Sequence, residues 1–135
     1  MSKIVMSDKI YVSESKITGA GNGVFAKVPL KKDETIEVCP VIKVPMTDAS
    51  NDDENGLLTN YFFYFGDALA MVLGFGSLYN HSYNANATYI KRPDKGVVEF
   101  RAVKEIAADQ EITVNYNDGE PKNQTPIGRG VPGPK

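Results

Sequence analysis

Short runs of β-branched and aromatic residues, each closed off within a few positions by glycine, proline or a small polar residue, recur along the whole chain. That rhythm points to a mainly β domain with little helix. Extended runs are expected at 10–14, 24–28, 35–39, 41–44, 88–92, 96–104 and 111–116. Pro40 divides the third from the fourth, and it argues for an edge position or a bend, because proline cannot donate to a strand ladder. Residues 88–92 and 96–104 pair as a hairpin across the turn-prone Pro93-Asp94-Lys95. Residues 29–33 and 106–110 read as turns, and 48–55 as an acidic polar loop. The aromatic cluster 61–65 reads as core or strand. The apolar run 68–73 is too short for periodicity to separate strand from helical turn. There is no internal repeat and no heptad pattern.

At 135 residues the chain is one domain on length, and 41% hydrophobic content is enough for a core of its own. The net charge of −2 offers no electrostatic grip on nucleic acid or an anionic membrane, and suits a basic peptide better than a phosphate backbone. Cys39 is the single cysteine, so neither an internal disulfide nor a cysteine-based zinc cluster can form. The expected compartment is reducing and intracellular, with no secretory signal and no membrane span. Whether that is nucleus or cytoplasm is not legible. From residue 119 to 135 the chain turns glycine- and proline-rich, and a mobile tail is expected after a domain spanning 1–118.

Three features carry chemistry. Gly19-Ala20-Gly21-Asn22-Gly23 is a glycine-rich loop between strands. It lacks a phosphate-binding lysine and leads into a strand, so a tight hairpin is its plainest reading. The polar cluster Asn80-His81-Ser82-Tyr83-Asn84-Ala85-Asn86, which holds the only histidine, lies between an apolar run and a strand-like run. His81 has no second histidine to complete a metal site, and Ser82 sits in no nucleophile elbow. It is read as a hydrogen-bonded or ligand-contacting residue. Tyr116 closes the last strand, where its hydroxyl can point into a site formed with the Asn80-His81 segment.

In this order and spacing, the three features resemble the SET-domain protein lysine methyltransferases. Gly19 to Ala26 matches the family's first motif. Residues 80–86 match its Asn-His-Ser-Cys-x-Pro-Asn motif, with Tyr83 and Ala85 at the Cys and Pro positions. Glu111-Ile112-Thr113-Val114-Asn115-Tyr116 matches its last motif. The match runs from about 11 to 118. The nearest likeness is to the minimal viral SET proteins, through the segment from Tyr61-Phe62-Phe63 to Leu73-Gly74-Phe75-Gly76 and Asn80-His81-Ser82.

The resemblance implies a β-clip fold of several small sheets with a threaded, knot-like C-terminal segment. It implies methyl transfer from S-adenosylmethionine to a lysine of a basic protein tail, a histone being one candidate, with no metal. By the same resemblance Gly21, Asn22, Gly23, Tyr61, Asn80 and His81 would contact the cofactor, and Tyr116 would be the catalytic tyrosine. Tyr61, Tyr64 and Val114 would line the lysine channel. Val114 stands where many relatives carry an aromatic residue, and its small side chain leaves room for more than one methyl.

Many relatives close the channel with a cysteine-rich zinc segment, and smaller ones with a C-terminal aromatic residue. This chain has neither after Tyr116. The wall must then come from elsewhere in the chain, from a partner subunit as in a homodimer, or not form. The alternative is accordingly a non-catalytic SET module that binds protein or peptide. An unrelated β-clip protein without a cofactor is a third reading.

Overall fold

The computed structural model describes residues 3–49 and 61–127. Among these, nine strands form two sheets. The first sheet begins with a hairpin, β1 (Ile10–Glu14) against β2 (Asn22–Ala26), closed by the glycine loop through a bond from Ser15 N to Gly21 O of 2.8 Å. Gly19 and Gly21 have φ of 79° and 74°, a left-handed conformation that side chains resist. The second strand starts two residues earlier than expected and ends at Ala26.

β3 (Thr35–Val44) is one ten-residue strand at the centre of the second sheet. This corrects the expectation of an edge position or bend at Pro40. The strand changes neighbours there. Residues up to Pro40 pair with β8 (Val97–Ala102), and Val41 to Val44 pair with β5 (Ala68–Val72). A residue without an N–H is tolerated at the handover, while its carbonyl still accepts from Leu73 N at 2.9 Å.

β4 (Phe62–Phe65) pairs with β5 on one side, and β7 (Ala87–Arg92) pairs with β8 on the other. The order is β4-β5-β3-β8-β7. The expected hairpin at 88–104 is therefore present, and 68–73 is mostly strand. Among the described residues the helical elements are one short α turn, Met46–Ala49, and a 3-10 turn, Gly76–Leu78, with Tyr61 also in 3-10 conformation. Apart from residues 48 and 49 in that α turn, the acidic loop expected at 48–55 lies outside the described residues.

The last strand, β9 (Glu111–Val114), lies between β2 and the two-residue strand β6 (Asn80–His81). β6 runs parallel to β9, with Asn80 opposite Thr113 and His81 opposite Val114. Asn86 fastens the segment after β6 to the same strand. Its amide donates to Glu111 O and accepts from Thr113 N, both at 2.9 Å. The core is built from inward residues of both sheets, including Val24, Ile36, Phe63, Phe65, Tyr79, Phe100, Ile112 and Val114.

Candidate active site

Pairing β6 with β9 puts the polar cluster beside the end of the last strand, although 35 residues separate His81 from Tyr116. The Tyr116 backbone N–H donates to His81 Nδ1 at 2.9 Å. An Nδ1 that accepts leaves the proton of the neutral ring on Nε2. Burial lowers the His81 pKa, so the ring is neutral near pH 7. Its Nε2 is buried and has no hydrogen-bond partner. The ring lies 4.4 Å from Tyr83 in a T-shaped contact and 5.0 Å from Tyr116.

The glycine loop reaches the same place through Asn80. Asn80 is buried, and its Nδ2 donates to Asn22 O at 3.1 Å and to Glu111 Oε2 at 3.0 Å. Glu111 also accepts from Ser15 Oγ and Lys16 N, so one carboxylate ties both ends of the loop to β9. Gly23 makes that approach possible. A Cβ there would sit 2.4 Å from Glu111 Oε2 and 2.9 Å from Asn80 Nδ2. Beside Gly21 the space is open. Gly21, Asn22, Gly23, Asn80 and His81 thus form one neighbourhood. An open glycine turn and, on β6, an imidazole N–H without a partner fit a ligand with hydrogen-bond acceptors.

The Tyr116 hydroxyl donates to Tyr79 O at 2.9 Å. Burial, then the neighbouring phenols of Tyr89 and Tyr61, push its pKa well above the ordinary tyrosine range. Tyr116 stands on one side of a cleft of about 380 Å³ that Phe63, Tyr64 and Tyr89 also line. Tyr64 is the exposed residue of β4, so the cleft rather than the core receives its ring. Tyr61 is half-buried beside Tyr116. Val114 is fully buried in the core, and it does not line this cleft. A larger cleft of about 970 Å³, between residues 3–9 and the sheet residues Thr35, Val97 and Glu99, contains none of these groups.

Residues 117–125 supply the opposite wall, through Asn117, Asp118, Glu120, Asn123 and Thr125. This segment was expected to be mobile from 119 onward, yet up to 127 it is pinned by side-chain hydrogen bonds. Fully buried Asn115 donates to Asn123 O at 2.8 Å and accepts from Asn117 N at 2.9 Å. Asn117 Nδ2 donates to Thr125 O at 2.8 Å. Tyr83 accepts twice, from Gln124 Nε2 at its carbonyl and from Ile127 N at its hydroxyl, each at 3.2 Å. The chain therefore builds this wall from asparagine amides and from Tyr83. Residues 128–135 of the expected tail lie outside the described residues.

Sequence reasoning missed Tyr89, Glu111 and Asn115. Tyr89 was legible in principle, because alternation along β7 puts it on the same inward face as Ala87. Glu111 was legible only as the first residue of the last motif, its partners being set by which elements become neighbours. Asn115 carries no such signal, since it pairs with backbone groups of residues 117–123.

A family model described as the SET domain matches residues 21–117. The histone-lysine N-methyltransferase of Schizosaccharomyces pombe specific for H3 lysine-37 is 25% identical over 99 residues, which is 73% of this chain and 67% of that protein. A crystal structure from Plasmodium falciparum, of a protein assigned as a histone methyltransferase, superposes with a TM-score of 0.68 at 30% identity. It covers 83% of this chain and 96% of that one. Polycomb repressive complex 2 of Chaetomium thermophilum, autoinhibited and bound to S-adenosylmethionine, contains a chain that matches at TM-score 0.65 and 19% identity. The match spans 85% of this chain but 16% of that one, a likeness of fold alone.

Proposed function

Because the chain belongs to the SET-domain family, we propose that it is an S-adenosylmethionine-dependent protein-lysine N-methyltransferase acting on a basic protein tail, with histones the first substrates to test. The observation that carries the reading is Tyr116, held by His81 and the Tyr79 carbonyl at the wall of a tyrosine-lined cleft. The segment from Tyr61 to Ser82 supports the further likeness to minimal viral SET proteins.

Bound against Gly21, Asn22, Gly23, Asn80 and His81, S-adenosylmethionine would supply an electrophilic methyl group on a sulfonium. The unpaired His81 Nε2–H would donate to an acceptor of that ligand, and Tyr61 would flank it on the Tyr116 side. Tyr116 gives its only proton to Tyr79 O, so its hydroxyl faces an incoming amine as an acceptor. Its raised pKa keeps the hydroxyl protonated near neutrality, and its role is to aim the amine lone pair.

The amine must be neutral to attack. Tyr64, Tyr89 and Phe63 around the cleft disfavour its charged form by desolvation, and the released proton passes to water. Before that, the aromatic faces attract the cationic side chain, and Glu120 on the wall favours a basic peptide, whereas Asp118 is already paired with Lys91 of the same cleft. Among the described strands β4 lies at a sheet edge, so a peptide added along it would run past Tyr64 and the cleft.

The test is calorimetric titration of S-adenosylmethionine, followed by methyl transfer to histones with Tyr116→Phe as control. Binding with transfer that Tyr116→Phe lowers by about a hundredfold supports the reading. Tight binding without transfer to any lysine refutes catalysis.

A further inference from the structure

Glu37 is a buried carboxylate at the wall of the cleft between residues 3–9 and the second sheet. The register of β3 on β8 shifts between Thr35 and Glu37, and this irregularity breaks the alternation so that Ile36 and Glu37 are both buried. Glu37 is 8% exposed, and both of its oxygens are used. Oε1 accepts from the Tyr79 hydroxyl at 2.9 Å, and Oε2 accepts from Phe75 N at 2.9 Å. Gly74, at φ 63°, leaves room for this, since a Cβ there would lie 2.6 Å from Oε2. Burial is costly for a carboxylate, and the hydrogen bonds from Tyr79 and Phe75, with a further one from the Cys39 thiol, offset the cost only while this geometry holds.

The groups fixed by Glu37 are those that hold Tyr116. Tyr79 is fully buried and stacks on Phe100 at 4.2 Å, and Phe100 is the residue opposite Glu37 on β8. At one end Tyr79 is tied to Glu37 by its hydroxyl, and at the other its carbonyl receives the Tyr116 hydroxyl. Phe75 and Tyr79 bracket the 3-10 turn Gly76–Leu78, and the carboxylate bonds to both. A shift of that carbonyl by much over half an ångström would take the Tyr116 bond from 2.9 Å past the limit of a useful hydrogen bond, about 3.5 Å.

We propose that Glu37 is a positioning residue for Tyr116, acting through Tyr79 to set the direction in which the Tyr116 hydroxyl points. Its consequence for catalysis rests on the methyltransferase reading, but the structural link does not. The whole chain, labelled with 13C at tyrosine Cζ, tests the link by NMR. The Tyr116 resonance is assigned by its loss in Tyr116→Phe. In Glu37→Gln it should move by more than a linewidth, while that of Tyr11, bonded to Asp109 on the first sheet, stays put. Tyr79→Phe, which keeps the bond to Phe75, should move it too, and this variant carries the test if Glu37→Gln does not fold. An unmoved Tyr116 resonance in a folded variant overturns the proposal whether or not the protein is a methyltransferase. If transfer is observed, Glu37→Gln should lower kcat about tenfold with the S-adenosylmethionine KM unchanged. That factor should vanish in a Tyr116→Phe background, whereas an equal loss in both backgrounds would mean a merely structural role.

Discussion

Asn86 ties the segment after β6 to the last strand. It is 5% exposed, and its amide spans β9 with a donor on Glu111 O and an acceptor on Thr113 N, both at 2.9 Å. Asn86→Ala deletes two hydrogen bonds of about 1 kcal/mol each and strands one carbonyl and one N–H at a further 1 kcal/mol or so apiece. The total is about 2–4 kcal/mol, or roughly 10 °C in Tm for a domain of this size. Asn86→Asp gives a sharper signature. The introduced carboxylate keeps the bond from Thr113 N but turns an oxygen toward Glu111 O. Its folded-state pKa is then raised above the unfolded value of about 3.9. A raised pKa means that stability is recovered as pH falls through it and lost as pH rises. The deficit of Asn86→Asp relative to wild type should be largest above neutrality. Between the folded and unfolded pKa values it should shrink by about 1.4 kcal/mol per pH unit. Thermal unfolding of the three proteins from about pH 4 to 8 measures this. A deficit that is flat with pH, or an Asn86→Ala cost below about 0.5 kcal/mol, refutes the reasoning.

Other expectations follow from the same contacts. Gly23→Ala drives a Cβ into the Glu111 carboxylate and Asn80 amide, and should weaken S-adenosylmethionine binding by about tenfold in a calorimetric titration. Asn115→Ala removes the buried anchor of the C-terminal wall, and hydrogen exchange should rise at least about tenfold over 121–127 while β7 and β8 stay protected. Burial opposes the ionisation of Glu99. Hydrogen bonds from Arg92, Thr35 and Arg101, with the Arg101 charge, outweigh it and hold the carboxyl at about 2 instead of 4.5. A lowered folded-state pKa stabilises above about 4.5 and is lost as pH falls towards 2. Urea unfolding should show up to about 3 kcal/mol of acid-linked loss that Glu99→Gln lacks.

The alternating last strand and the three motifs were legible because strand period and turn chemistry are local. They led to Tyr116, His81 and the glycine loop. Pro40 misled because the cost of proline depends on which neighbour each half of the strand pairs with, and that is a property of the sheet. Glu37 was hidden by a register irregularity that only pairing with β8 creates. The wall at 117–127 was hidden because Asn115 and Asn117 pair with backbone carbonyls, which leave no trace in composition.

The central claim is tested most directly by incubating the wild-type chain with histones and S-adenosylmethionine bearing a trideuterated methyl, then reading lysine masses by tandem mass spectrometry. The account predicts trideuteromethyl groups on lysine side chains that nearly disappear with Tyr116→Phe. Unlabelled lysines despite demonstrated cofactor binding, or equal labelling by Tyr116→Phe, would contradict it.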